Sequence, residues 1–290
     1  MKKAIYFLIV GLMTLTNVQG QGVTRGLVGY WPFNGNAIDE SVFSHNGTVF
    51  GATLTKDRFG NSNSAYSLDG VNDYIHIGST SDLKPKDITV NIWFKIQDTT
   101  RQAALFGCYN AGYGEWGIDF HQRPGFGLCS GIGAGANNRY QGHRTKDWYQ
   151  DGNWHMATLV YNSTNNDELR MYVDTIDLGK GSVVGSSGGF NSSDLMTFYN
   201  VDSWYFGAAS QYFSIPNENN GPFYFKGELD DASIFDRALT FSEIKTLFLD
   251  SSSNPSSSQI LTDQVPDYHI YPNPSATFVK VSSPDIAKVE

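Results

Sequence analysis

The segment DITVNIWFKI, residues 87–96, decides the fold class because its apolar side chains occupy every second position. The apolar positions are Ile88, Val90, Ile92, Phe94 and Ile96. Successive side chains of a β-strand point to opposite faces, so a period of two is typical of a strand with one face against a core. The segment therefore predicts a half-buried β-strand.

Shorter segments of the same kind fill residues 26–249, with Gly, Asn and Asp turn residues between them. The predicted strands include 27–33, 64–70, 73–78, 103–108, 115–120, 125–130, 153–161, 168–174, 203–209 and 222–235. Only residues 239–249 have helical spacing, with Thr240 or Ser242 as the cap. Many short strands with almost no helix predict an all-β, two-sheet antiparallel sandwich with one short C-terminal helix.

The beginning of the chain has the pattern of a secretory signal peptide. Two lysines precede an apolar run at 4–15, and the small residues Val18 and Gly20 suit a cleavage site. The apolar run is too short to cross a bilayer. We therefore expect residues 1–20 to direct secretion and to be removed, with a buried N-terminal element as the alternative.

The net charge of the chain is −9, and residues 1–20 contribute two lysines and no acid. An acidic chain without a basic run argues against nucleic acid and against anionic membrane surfaces, but it is compatible with cation binding. No later segment approaches transmembrane length, so we expect no insertion into a membrane.

The composition changes after residue 249. Residues 250–267 form a linker rich in Ser and Pro, which has nothing to bury. The strand-like residues 268–290 follow, too few for a core of their own. They are expected to be either a docking tail or the start of a truncated domain.

Two cysteines, Cys108 and Cys129, leave a disulfide open. Their segments are predicted to be the first and third strands of a meander, about 9–10 Å apart, whereas a disulfide needs Cα atoms within about 7 Å. A bridge requires the third strand to leave the sheet or both cysteines to lie at splayed strand ends.

Five segments in chain order resemble one family. They are GLVGYWPFNGNAIDESVFSHNGT, SAYSLDGVNDYIHI, DITVNIWFK, DGNWHMATLVYN with LRMYVD, and GELDDASIFDRALTFSEI. This set resembles the concanavalin A-like lectin/glucanase domains of the laminin-G/pentraxin type, which implies a jelly-roll sandwich. Separately, YPNP followed by FVKVSS resembles the start of the C-terminal sorting domain of type IX secretion, which implies contact with secretion machinery and release or attachment at the outer cell surface.

In GELDDASIF, alternation predicts that Asp230 points inward with Ala232 and Ile234, and that Asp231 points to solvent. An inward carboxylate must protonate, pair or bind a cation. Hydrogen bonds from backbone N–H groups, without a metal, are the alternative to a cation.

The family resemblance implies a structural calcium, and Ca²⁺ collects six to eight oxygen ligands. Asp230 is the first ligand expected on this basis. Asp39 and Asn34, in the loop FNGNAIDES, are expected to complete the set.

Signs of catalysis are weak. Glu115 and Asp119 share one strand face but lie about 13 Å apart, too far for a retaining glycosidase pair. Asp230 and Asp231 are adjacent on a strand, so alternation separates their carboxylates. His155 lies in a predicted hairpin and is expected to be packed or hydrogen-bonded. We therefore predict a protein that is not an enzyme.

Aromatic residues in the predicted loops are the candidate ligand contacts, although they could simply cover the sandwich. They are Tyr113, Trp116, Tyr140, Trp148 and Tyr212. The sequence predicts a secreted or cell-surface, non-catalytic module that binds a glycan, a surface polysaccharide or a surface protein, stabilised by calcium. The alternatives are a glycoside hydrolase of the same fold with an unrecognised catalytic set, and a structural surface protein that binds protein.

Overall fold

A computed structural model of the chain describes the following residues: 23–78, 81–83, 85–98, 100, 103–108, 118–123, 127–134, 139–145, 147, 149–165, 168–184, 203–208 and 223–249. Within them, sixteen strands form two antiparallel eight-stranded sheets. The predicted all-β, two-sheet antiparallel jelly-roll sandwich is confirmed. The expected signal peptide, linker and sorting tail lie outside the described residues.

The first sheet contains the long central strands. Its members are β1 Leu27–Trp31, β3 Thr53–Thr55, β4 Ala65–Asp69, β6 Ile88–Ile96, β11 His155–Asn162, β12 Glu168–Val173, β13 Ile176–Lys180 and β16 Lys226–Phe235. Their order is β13-β12-β11-β6-β16-β4-β3, and β1 also pairs with β16. The strand that decided the fold class, β6, is therefore central, between β11 and β16.

The second sheet is assembled from shorter strands. Its members are β2 Gly47–Phe50, β5 Tyr74–Ile77, β7 Ala103–Gly107, β8 Ile118–Arg123, β9 Gly127–Ala134, β10 Arg139–Arg144, β14 Ser182–Val184 and β15 Trp204–Phe206. Their order is β14-β10-β9-β8-β7-β15-β5-β2. The edge strand β2 continues through a two-residue connection into β3, the edge strand of the first sheet.

The main core lies between the sheets and is rich in aromatic rings. Trp31 of the first sheet is fully buried and meets Phe106 and Phe206 of the second sheet edge-on, with ring centroids 6.1 and 5.4 Å away. Its indole N–H donates to the carbonyl of His45 at 2.8 Å. Trp31 therefore joins both sheets to the loop that precedes β2.

A second core covers the outer face of the first sheet, so β6 is buried on both faces and not on one as predicted. Its buried members are Trp93, Met156, Val160, Tyr172, Phe235, Leu239 and Ile244. The polar Asn91 on this strand is satisfied by donating to the hydroxyl of Thr158 at 2.7 Å. The additional burial comes from the chain that follows β16.

That chain forms helix α1, Phe241–Leu249, with the predicted cap. Thr240 accepts the N–H of Glu243, while the Glu243 carboxylate accepts the N–H of Thr240, which makes a capping box. Hydrogen bonds from Arg237 lower the pKa of Glu243 to about 2. Phe248 of the helix stacks on Trp93, with ring centroids 5.4 Å apart.

The meander around the two cysteines is also confirmed, because β7, β8 and β9 are consecutive neighbours. Cys108 and Cys129 are both buried and form no disulfide. Among the residues that the structure describes, no helix is long and apolar enough to cross a bilayer.

Candidate functional site

The paired aspartates, Asp230 and Asp231, are both buried on the outer face of the first sheet, with exposures of 2% and 8%. A β-bulge between Asp230 and Ser233 interrupts pairing with β6, and Asp231 has a φ of 37°. The additional residue of the bulge brings both carboxylates to the same side. Two sequence predictions are therefore wrong: Asp230 does not share the inner face of Ala232 and Ile234, and Asp231 does not lie in solvent.

Arg58, in the connection between β3 and β4, bridges the two carboxylates. Its Nη1 lies 2.8 Å from Oδ2 of Asp230 and 2.5 Å from Oδ2 of Asp231. The rings of Phe59 and Trp93 contact the guanidinium, with centroids 4.4 and 4.5 Å from its central carbon. The Arg58 side chain is only 8% exposed. We name these five residues the Arg58 cluster.

Burial controls the titration of the Arg58 cluster. Desolvation and the charge of Asp231 raise the pKa of Asp230 above its usual range, although Arg58 opposes this shift. Desolvation also raises the pKa of Asp231, whose Oδ1 accepts a hydrogen bond from the Tyr30 hydroxyl at 3.0 Å. Because both carboxylates are covered and paired, they do not present an acid/base pair to a substrate.

Asp39, the second predicted calcium ligand, organises the loop before β2. Its Oδ1 accepts the N–H groups of Tyr30 and Ser41, each at 2.8 Å. Its Oδ2 accepts the N–H of His45 at 2.7 Å and the Ser41 hydroxyl at 2.8 Å. Asn34 lies in an exposed turn of the same loop. Both oxygens of the Asp39 carboxylate are thus engaged by donors of the protein.

The described contacts do not join Asp230, Asp39 and Asn34 into one ligand set. Asp230 belongs to the Arg58 cluster, whereas Asp39 and Asn34 belong to the loop before β2. No group of three or more His, Cys, Asp or Glu side chains that could hold a metal ion occurs in the described part of the chain. Calcium binding stays a prediction. The described contacts place the carboxylates of Asp230 and Asp39 in two separate groups, which does not fit a shared calcium site.

His155 is packed and hydrogen-bonded, as the sequence indicated. Its Nδ1 lies 3.0 Å from Asp174 and its Nε2 lies 3.1 Å from Asp151, while the rings of Phe94 and Tyr149 lie beside it. Burial by itself would lower the pKa of His155, but the two carboxylates outweigh burial and raise it. The imidazole ring therefore joins the loop before β11 to the turn after β12.

This arrangement predicts a pH-dependent contribution to stability. A pKa raised in the folded state stabilises the fold below the ordinary pKa of about 6.5 and loses that effect as the pH rises through the raised value. Between pH 6 and pH 9, the wild-type free energy of unfolding should fall by about 1 kcal/mol more than that of His155→Asn. Urea unfolding at both pH values measures this difference, and parallel pH profiles would contradict the prediction.

Four of the predicted aromatic contacts, Tyr113, Trp116, Trp148 and Tyr212, lie outside the described residues. Tyr140 was predicted in a loop, but it lies on strand β10, opposite Gly133 of β9. These five predictions therefore stay predictions.

A different group of aromatic side chains lies on the outer face of the second sheet, near its β2 edge. We name it the aromatic ladder: Phe50, Tyr74, His76, Tyr205 and Tyr224. Phe50 stacks on Tyr74 with ring centroids 4.5 Å apart, and His76 stacks on Tyr205 at 4.9 Å. Tyr74 connects these pairs, with its centroid 6.1 Å from Tyr205 and 6.4 Å from Tyr224. The rings form one continuous aromatic surface.

Strand alternation and register place the ladder. On β5, Ile75 and Ile77 are fully buried between the sheets, so Tyr74 and His76 point outward. The strand β15 has the same pattern, with only its middle residue, Tyr205, outward. In the register of the sheet, Tyr205 of β15 lies opposite His76 of β5. Phe50 of β2 lies opposite Tyr74 of β5.

Phe50 forms the open end of the ladder. One face of its ring is covered by Tyr74, and its strand, β2, is the last of the second sheet. The side chain is 42% exposed. The next residue, Gly51, has a φ of 75°, and a Cβ there would collide with the carboxylate of Asp73. This close approach lets the chain turn away immediately after Phe50.

The ladder carries no formal charge at neutral pH. Burial lowers the pKa of His76, so its imidazole is neutral, and burial raises the pKa of Tyr224, so its phenol keeps its proton. A neutral imidazole and a phenol each both donate and accept hydrogen bonds. Among the described residues, Nε2 of His76 has no hydrogen-bond partner.

The residues of this surface lie on strand faces and not in the loops where ligand contacts were predicted. The alternation of YIHI and WYF does indicate outward Tyr74, His76 and Tyr205. Nothing in the sequence, however, indicates that strands so distant along the chain are neighbours.

Comparisons with known proteins agree with this fold. Residues 69–245 match the family model Laminin_G_3, described as the concanavalin A-like lectin/glucanases superfamily. Among curated proteins there is no significant match.

Solved structures are similar at the level of the fold. The receptor binding domain of a botulinum neurotoxin C/D mosaic serotype has 14% identity and a TM-score of 0.56, over 77% of this chain and 51% of that one. Domain 4 of an extracellular arabinanase from Geobacillus stearothermophilus, solved with arabinotriose, has 17% identity and a TM-score of 0.53, over 76% and 97%. A Trypanosoma rangeli sialidase has 18% identity and a TM-score of 0.52, over 77% and 33%.

The chain thus spans about half the length of the neurotoxin domain and nearly the whole length of the arabinanase domain. Proteins with this fold include receptor-binding domains and parts of glycosidases. The family model covers more than half of the sequence. The matched residues run from before β5, through β6 and the whole of β16, into the first part of α1. The chain belongs to the concanavalin A-like lectin/glucanases superfamily, in its Laminin_G_3 family.

Proposed function

We propose that this protein is a secreted, non-catalytic binding module whose aromatic ladder holds a neutral glycan. The observation that carries the proposal is the uncharged, partly exposed surface of five contacting rings. A sugar ring has an apolar C–H face and a rim of hydroxyls. Aromatic faces cover the first, and phenol or imidazole groups pair with the second.

The open end of the ladder favours the ring of Phe50 as the first sugar contact. Phe50 is exposed on its outer side, while Tyr74 fixes its other face and so reduces the rotamer entropy that binding would cost. The rings of Tyr74, Tyr205 and Tyr224 belong to the same surface, and each carries a phenol group. An elongated oligosaccharide would therefore meet apolar and polar groups together.

Two further observations support the proposal, the first on catalysis and the second on the ligand. The aspartate pair of β16 is buried against Arg58. A domain of similar fold was solved with arabinotriose, which makes a short neutral oligosaccharide a sensible first probe.

Secretion is part of the proposal and rests on sequence. The pattern of residues 1–20 supports export, and YPNP with FVKVSS supports delivery to the outer surface by type IX secretion. A glycan or polysaccharide outside the cell would then be the partner.

A glycan array of neutral and acidic oligosaccharides, with arabinotriose included, tests this function alongside an assay for released reducing sugar. We expect binding to neutral glycans and no release. Release of sugar would contradict the non-catalytic proposal and favour a glycoside hydrolase. Absence of both binding and release would contradict the glycan proposal and favour an adhesive surface protein that binds protein.

A further inference from the structure

We infer that the guanidinium of Arg58 is the cation that neutralises the aspartate pair of β16, and that the fold does not need calcium at the β16 bulge. The inference concerns the Arg58 cluster and is independent of the proposed glycan function.

All four carboxylate oxygens of the bulge have a donor from the protein. In Asp230, Oδ1 accepts the N–H of Asp231 at 2.9 Å and Oδ2 accepts from Arg58 at 2.8 Å. In Asp231, Oδ1 accepts the hydroxyl of Tyr30 at 3.0 Å and Oδ2 pairs with Arg58 at 2.5 Å. A calcium ion needs six to eight oxygens. Here it would have to displace the guanidinium from both Oδ2 atoms, and the two Oδ1 atoms already accept from Asp231 N–H and the Tyr30 hydroxyl.

The position of Arg58 is fixed by its surroundings. Its guanidinium lies against the rings of Phe59 and Trp93, and a delocalised planar cation suits both an aromatic face and paired carboxylates. An ammonium group or a metal ion would not match the two ring contacts and the two carboxylates in the same way. The pocket is therefore shaped for a guanidinium.

The cluster joins elements that are distant in sequence. Arg58 lies between β3 and β4, the aspartates lie on β16 and Trp93 lies on β6. Tyr30, which donates to Asp231, lies on β1. Three of these elements, β1, β4 and β6, pair directly with β16. The guanidinium thus holds the bulged strand to its neighbours at the point where regular pairing stops.

Thermal unfolding of the full chain tests the inference. The Tm of the wild type should be the same in excess calcium and in excess chelator. Arg58→Ala should lower the Tm by about 10 °C, because removing one partner leaves buried carboxylates without their cation. Elemental analysis of wild type purified in calcium buffer should find no bound calcium.

Arg170 provides a matched control. It also contacts two carboxylates, Glu168 and Asp177, but its side chain is 39% exposed. Arg170→Ala should therefore lower the Tm by no more than about 2 °C. If Arg58→Ala does not fold, Arg58→Lys replaces it, because lysine keeps the charge and loses the fork and the ring contacts; its Tm should fall by about 5 °C.

Three results would overturn the inference. The first is a wild-type Tm that falls on chelation, and the second is one equivalent of calcium in the purified protein. The third is a variant of Arg58 that melts like the wild type.

Discussion

Replacing Trp31 with alanine should lower the free energy of unfolding by about 4 kcal/mol. The side chain is fully buried and contacts Phe106 and Phe206 across the space between the sheets. Alanine would leave a cavity there, and the carbonyl of His45 would lose the indole donor. Urea unfolding followed by circular dichroism measures the change through the transition midpoint.

Two control variants separate the causes of this loss. Trp31→Phe keeps an aromatic ring but removes the donor, so it should cost less than the alanine variant. Ile176→Ala removes an apolar side chain that is 63% exposed on β13, so it should change stability by less than about 0.5 kcal/mol. A Trp31→Ala protein as stable as Ile176→Ala would contradict the proposed core.

Phe50→Ala should weaken binding of the glycan found on the array about tenfold. Loss of a specific aromatic contact costs about 0.5–1.5 kcal/mol beyond buried area, and 1.4 kcal/mol corresponds to one factor of ten. The variant should fold normally because Phe50 lies on an edge strand and is 42% exposed. Isothermal titration calorimetry of the folded variant gives the change in Kd.

Val49→Ala is the matched control for Phe50→Ala. Val49 is the preceding residue of β2 and is 36% exposed, but alternation points it to the other face of the strand. Its replacement should leave the Kd unchanged. Equal losses in both variants would show that the edge strand as a whole, and not the ladder, governs binding.

Regular features of the fold were predictable from the sequence. The alternation of residues 87–96 identified the central strand, and Thr240 with Glu243 marked the start of the helix. Both signals are local, since they depend on spacing within a few residues. The predicted hydrogen bonding of His155 and the meander around the cysteines followed from the same local patterns.

The errors arose where the backbone departs from regularity. Alternation assigned Asp230 and Asp231 to opposite faces, but the bulge at this point places them on one guanidinium. The partner, Arg58, lies in a connection far from β16 in sequence, and no spacing rule links the two. The aromatic ladder was missed for a related reason, because its rings meet only after β2, β5 and β15 pair.

The central claim is that the aromatic ladder contacts the glycan, and aromatic proton–carbon NMR during a glycan titration tests it most directly. The spectrum of Phe50→Ala assigns the Phe50 ring signals, and that of Tyr74→Phe assigns those of Tyr74. We expect both sets of signals to shift progressively as glycan is added, while the ring signals of buried Trp31 stay in place. Binding that shifts other aromatic signals and leaves Phe50 and Tyr74 unchanged would contradict the account.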